Sequence, residues 1–171
     1  MQVNSHNEWD KLKEVIVGTA EGISATLEWG SPKPIPEPIK EKAFELAREA
    51  SPQWFVEEIM EDLDGLSKII QDYGAKVHRP KAHDISKFFS SPFWSSTGEN
   101  LYNVRDLNLI LGNMVIESPS PHMSRYFECT ALYSIWYDEY FEEGFKWIAG
   151  PRPKLEGDVV MSYFRNENER I

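Results

Sequence analysis

The chain has 171 residues, 41% of them hydrophobic and 13% aromatic, enough for one domain with its own core and unlike a disordered composition. Asp and Glu outnumber Lys and Arg by 28 to 18, and the net charge of -10 argues against nucleic acid, which demands a basic face. No run approaches the ~20 apolar residues of a membrane span, and the single cysteine, Cys129, allows neither an internal disulfide nor a cysteine-built zinc site. The opening residues carry no basic segment followed by an apolar one, so the expectation is a soluble, cytoplasmic protein without a membrane partner. The acidic excess favours small cationic substrates. Its clusters, Glu57-Glu58 and Glu142-Glu143 among them, fall within helical patterns, so solvated helix faces are the simpler account.

In chain order, Asn7-Glu8-Trp9-Asp10 is a polar turn before a short apolar strand over 14–18, expected to be buried on both faces. Residues 21–38 hold Gly22, Gly30 and four prolines, too many breakers for regular structure, and read as an exposed loop able to cover a pocket. A helix is predicted over 37–49. A stronger one follows, with Ser51 as N-cap, Pro52 at its first position and Gly74 at its end. Phe55, Ile59, Leu63, Leu66, Ile70 and Tyr73 recur at three and four, which predicts one core-facing stripe. A strand over 75–79 ends at Pro80. The stretch 81–103, rich in Ser and aromatic residues, reads as a long ordered loop.

The segment from 105 to 149 has the clearest pattern. Arg105-Asp106 opens a strand over 107–111, Gly112-Asn113 turns it, and a second strand follows over 114–117, closed by Pro119 and Pro121. A long helical pattern over 123–143 stops at Gly144, and a strand over 145–149 ends at Gly150-Pro151. The order is strand, strand, helix, strand. The polar tail over 154–171 adds no further element, and the whole chain is read as a single domain.

Candidate chemistry is sparse. Cys129 lies on the helical stripe of Tyr126, Tyr133, Trp136 and Tyr140, where a cysteine is a small buried hydrophobe and not an activated nucleophile. His78 and His83 flank Pro80 without the third ligand that metal motifs supply, and all four histidines are assigned surface or loop positions. Arg105-Asp106 stands where a loop meets a strand, a place that often carries binding groups. Its carboxylate has the hydrogen-bonding geometry to receive a guanidinium. On the residues alone a structural salt bridge or turn cap is the simpler reading, as is a structural ion pair for Glu117 and Arg125.

Several segments together resemble one family. Asn7-Glu8-Trp9-Asp10-Lys11-Leu12-Lys13-Glu14-Val15-Ile16-Val17-Gly18, then Gly74-Ala75-Lys76-Val77-His78-Arg79-Pro80, Ser96-Thr97-Gly98 and Arg105-Asp106 are similar to segments of the glycine and inosamine-phosphate amidinotransferases. So are Leu111-Gly112-Asn113-Met114-Val115-Ile116-Glu117-Ser118-Pro119, Ser124-Arg125-Tyr126-Phe127-Glu128 and Lys146-Trp147, all in the same order.

The resemblance implies an α/β fold, part of an α/β-propeller of the guanidino-group-modifying (pentein) superfamily built from ββαβ modules, with 105–149 as one module. It implies amidino transfer from arginine to an acceptor amine through an amidino-cysteine intermediate, without metal or organic cofactor. Asp106 is then a substrate-contacting carboxylate with Arg105 as its neighbour, and an arginine-like small molecule is the ligand. The family's later Asp and His segments and its nucleophilic cysteine have no counterpart in these residues, and Cys129 stands where relatives carry an aromatic residue. The chain is therefore expected to be inactive alone, pairing with a carboxyl-terminal complementing chain or with itself. The alternatives are a non-catalytic remnant that binds a guanidino or amino-acid ligand through Asp106, and a hydrolase of the arginine deiminase kind, which the opening segment favours less.

Overall fold

A computed structural model of the chain describes residues 3–23, 51–81, 88–92, 95–98, 100–120 and 122–151. The helix expected over 37–49, most of the loop over 21–38, His83 and the tail over 154–171 lie outside the described residues.

The amino-terminal part is a strand–helix–strand unit. β1 (Glu14–Ile16) and β2 (Lys76–His78) pair in parallel, in register Glu14 with Lys76 and Ile16 with His78. Parallel strands need a long crossover, and α1 (Gln53–Asp72) lies within it. β1 is only half-buried; burial deepens just after it, over 17–20. There Gly18 runs against the 101–102 main chain so closely that a Cβ would lie 2.2 Å from the Tyr102 carbonyl oxygen.

α1 starts after Pro52, whose φ of -54 and ψ of 138 turn the chain into the helix, and Ser51 does not cap it with its side chain. The Ser51 main-chain N–H donates to the Ile23 carbonyl instead. Gly74, at φ +86, ends the helix as expected. The predicted stripe is only partly used, since Leu63 and Ser67 are the buried residues of α1. Trp54 at 65% and Tyr73 at 84% exposure, with Phe55, Leu66 and Ile69, face solvent. The 3.6-residue period reports that a helix has an apolar side; which elements cover that side is decided elsewhere in the chain.

The expected loop over 81–103 contains an antiparallel pair, β3 (Phe88–Ser90) and β4 (Ser95–Thr97). Its strands are three residues long and rich in serine, so alternation gave no strand signal.

The segment after residue 104 forms a three-stranded sheet in the order β5 (Asn108–Leu111), β6 (Met114–Glu117), β7 (Lys146–Ala149). β5 and β6 form the antiparallel hairpin, with Gly112 at φ +57 in the tight turn, and β7 runs parallel to β6. The connection is helical over 128–143 but is not the single long helix expected over 123–143. Residues 123–127 are turns, and the run passes through 3₁₀ (Glu128–Leu132), α (Tyr133–Ile135), π (Trp136–Tyr140) and 3₁₀ (Phe141–Glu143) segments. Aromatic and β-branched residues crowd the turns and weaken regular α-geometry, and Trp136 and Tyr140, both within the π segment, are buried in the core. Gly144, at φ +75, stops the run.

The main core lies between this run and the sheet. Leu107, Val115, Cys129, Leu132, Ile135, Trp136 and Tyr140 are buried together with Val3, and Ile16 and Trp147 pack against them. Tyr133 and Trp147 meet edge to face at 4.9 Å. The opposite side of the sheet is open: Leu109, Leu111 and Ile148 are exposed.

Two glycines give opposite expectations. Gly18→Ala forces a methyl group into main-chain carbonyls and is expected to destabilise the chain by about 2 kcal/mol. Gly65→Ala, in the middle of α1 with open space around it, is expected to stabilise by about 0.5–1 kcal/mol. Urea midpoints of the two variants against the parent check both signs.

Candidate functional site

Asp106 ends a 3₁₀ turn (Val104–Asp106) that leads into β5, so its carboxylate stands at the mouth of the sheet. It receives the guanidinium of Arg125, with Nη1 donating to Oδ2 at 2.8 Å. The same guanidinium donates from Nε to Glu128 Oε2 at 2.8 Å and from Nη2 to the Asn103 carbonyl at 3.2 Å. Glu128 also accepts the Asn100 main-chain N–H. Arg125 thereby pins the 100–106 loop to the start of the helical run.

Exposure separates the members of this network. The Glu128 side chain is 1% exposed and Arg125 15%, so that pair is desolvated and each charge depends on the other. Asp106 is 57% exposed, and much of its carboxylate faces solvent. A carboxylate accepts several hydrogen bonds; Asp106 therefore has capacity for a second donor. Arg105, the other singled-out residue, is 90% exposed and among the described residues reaches Glu8, at 3.4 Å, a contact of little energetic weight. Arg105 and Asp106 do not face each other's partners.

Glu117 does not pair with Arg125. It is buried on β6 and accepts the Trp147 indole N–H at 2.8 Å, with the Cys129 thiol directed at its other oxygen at 3.8 Å. Cys129 is buried in the core, as its stripe predicted. A thiol pointed at a carboxylate is in the wrong surroundings for a thiolate nucleophile.

Sequence reasoning missed a second cluster. His78, assigned to the surface, is buried at the end of β2. Its Nε2 lies 2.7 Å from Glu14 Oε2 and 3.0 Å from the Tyr140 hydroxyl, and that hydroxyl donates to Glu14. Burial by itself pushes the Glu14 carboxyl up, but the hydrogen bonds from Tyr140 and His78, with the charges of His78 and Lys76, outweigh it and hold the group below its ordinary value. Burial, then the bond to Glu14, pushes the Tyr140 hydroxyl up. The three residues border a cavity of about 730 Å³ whose wall includes His6, Ile110 and Trp136. They stand 62 to 126 positions apart, and no local spacing announces them. Among the described residues, no group of three or more His, Cys, Asp or Glu is placed to hold a metal ion. No described helix is long and apolar enough to cross a membrane.

With this geometry in view, comparison with known proteins identifies the chain's relatives. The L-arginine:L-lysine amidinotransferase of Pseudomonas savastanoi pv. phaseolicola is 36% identical over 158 residues, 91% of this chain and 43% of that protein. The mitochondrial glycine amidinotransferase of Danio rerio is 32% identical, over 90% of this chain and 36% of its own length. A solved amidinotransferase from Microseira wollei, of the saxitoxin biosynthetic pathway, superposes with a TM-score of 0.73 at 38% identity, covering 90% of this chain and 43% of that one. Over about 90% of its length the chain is similar to amidinotransferases.

The Streptomyces griseus inosamine-phosphate amidinotransferase structure agrees, with a TM-score of 0.70 at 32% identity over 90% of this chain. No family model matches the sequence. The amidinotransferases it matches are longer, and the chain spans 36 to 45% of their length.

The two clusters predict different responses. Arg125→Met leaves the buried Glu128 charge without its guanidinium and is expected to cost about 3 kcal/mol or more, whereas Asp106→Asn, at an exposed site, is expected to cost less than about 1 kcal/mol; urea unfolding of both variants measures the difference. Glu14 titrates below its ordinary value in the fold, so the stability it contributes is present above the ordinary carboxylate range and lost as pH falls through the lower, folded value. Tyr140→Phe removes one of the bonds that lower it, and the Glu14 carboxyl is expected to titrate at higher pH, read by carboxyl-carbon NMR between pH 2 and 7.

Proposed function

We propose that these 171 residues form the amino-terminal part of an amidinotransferase, contributing Asp106 to a site for the guanidinium of an arginine-like substrate and performing no amidino transfer by themselves. The similarity to amidinotransferases over about 90% of the chain supports the reaction class. The observation that carries the site assignment is Asp106 itself: a largely exposed carboxylate at a loop–sheet junction that already accepts a guanidinium, from Arg125. Arg105, beside it in the motif, is proposed to line the same site from solvent.

Within this reading the three strands of 105–149 and their helical connection are one ββαβ module of an incomplete α/β-propeller. The remaining modules, on the same polypeptide or a separate one, supply the proton-shuttling histidine, the second aspartate segment and the nucleophilic cysteine. The open apolar face of Leu109, Leu111 and Ile148 supports such a completion, because it leaves large side chains against water. The single buried cysteine supports inactivity of the present residues, since Cys129 is spent in the core. The proposed setting is cytoplasmic, with no cofactor.

The non-catalytic alternative is that the chain binds a guanidino or amino-acid ligand through Asp106 without taking part in transfer. Ornithine release from arginine separates the two. The chain alone is expected to release none, and its mixture with the carboxyl-terminal remainder of the Pseudomonas relative is expected to release ornithine, at a rate lowered at least tenfold by Asp106→Ala. A silent mixture, with calorimetric arginine binding to the chain alone that Asp106→Ala abolishes, would favour the alternative.

A further inference from the structure

Asp106 is the outermost member of a hydrogen-bonded chain that begins in the core. Glu128, 1% exposed, accepts the Asn100 main-chain N–H and the Arg125 Nε–H. The buried Asn100 side chain accepts the main-chain N–H groups of Tyr102 and Asn103. The Asn103 carbonyl accepts both Arg125 Nη2 and the Asp106 main-chain N–H, which closes the 3₁₀ turn. Arg125 Nη1 reaches past that turn to Asp106 Oδ2. One guanidinium thus holds the start of the turn by its main chain and the end by its side chain.

Acceptors on Glu128, Asn103 and Asp106 fix the planar guanidinium in both position and orientation. Asp106 Oδ2 is held, and among the described residues no donor reaches Oδ1. A side chain 57% exposed, with room to rotate, therefore presents one oxygen in one direction. Rotation of a released aspartate about its Cα–Cβ bond moves the carboxylate by more than the misplacement of about 1 Å that can cost on the order of 100-fold in rate. Arg125 alone would also neutralise Asp106 and remove its pull on a cationic ligand. Glu128, 2.8 Å from Arg125 Nε, offsets that charge, so the three side chains together keep the negative charge of one carboxylate.

We propose that Arg125 and Glu128 are positioning residues for the guanidinium of the donor substrate. Arg125 orients Asp106 with Oδ1 left for a single-point contact, and Glu128 cancels the Arg125 charge so that Asp106 keeps its attraction for a cation. This rests on the reading of Asp106 as a substrate-contacting carboxylate of an amidinotransferase.

Steady-state kinetics of ornithine release test it, with the full chain mixed with the carboxyl-terminal remainder of the Pseudomonas relative, arginine as donor and lysine as acceptor. Two variants separate the two roles. Arg125→Met combined with Glu128→Gln removes the anchor without leaving a buried unpaired charge, and keeps an acceptor for the Asn100 N–H. Glu128→Gln alone keeps the anchor and removes the offsetting charge. The double variant is expected to raise KM for arginine by about tenfold or more. The single variant is expected to raise it by about threefold or more, an effect that shrinks as ionic strength rises. KM for lysine stays unchanged in both. A fall in kcat with both KM values unchanged is the mark of lost folded enzyme and overturns the proposal, while the functional reading stands if Asp106→Ala still raises KM for arginine. An Asp106→Ala variant with unaltered kinetics, or a mixture that releases no ornithine, overturns both.

Discussion

The structure depends on the seating of one irregular helical run, 128–143, between two β-units. From its carboxyl-terminal half Tyr140 reaches Glu14 on β1 and His78 on β2, while Trp136 and Leu132 fill the core under β5–β7. From its amino-terminal end Glu128, with Arg125 just before it, holds the 100–106 loop. A regular α-helix repeats every 3.6 residues along one line, and a π segment offsets that line. Trp136 and Tyr140, at the two ends of the π segment, are both buried in the core. The same run thus fixes the position of Asp106 and joins the amino-terminal strands to the later sheet.

Function follows from what this seating leaves open. Glu14, His78, Arg125 and Glu128, which hold the run in place, are largely buried, whereas Asp106 keeps more than half of its side chain in water. The sheet turns Leu109, Leu111 and Ile148 to solvent, and α1 does the same with Trp54 and Tyr73. Burial of such side chains is worth roughly 1.5–3 kcal/mol each, so these surfaces favour any segment able to cover them. A carboxylate at the rim and apolar faces at the borders are what the proposed role, completing a site together with the rest of an amidinotransferase, requires.

The parts legible in the sequence were those set by local chemistry. The Gly112-Asn113 hairpin, the stops at Gly74 and Gly144 and the buried place of Cys129 follow from turn residues, helix breakers and spacing. What was not legible depended on distant partners. The stripe on α1 predicted a buried face, but of its members Leu63 alone is fully buried and Ile59 and Ile70 are half-buried. Uniform periodicity hid the 3₁₀ and π segments, because their crowding is a property of packed rings and not of pattern. His78 read as an isolated surface residue because its partners Glu14 and Tyr140 come from other elements. Asp106 was found as a carboxylate suited to a guanidinium, whereas its actual partner, Arg125, had been matched with Glu117.

If the chain is one part of a larger folded unit, as proposed, sedimentation velocity of the purified 171-residue chain shows concentration-dependent self-association of the chain alone, replaced by a one-to-one complex when the carboxyl-terminal remainder of a relative is added. A chain that stays monomeric at every concentration and ignores the remainder would contradict it.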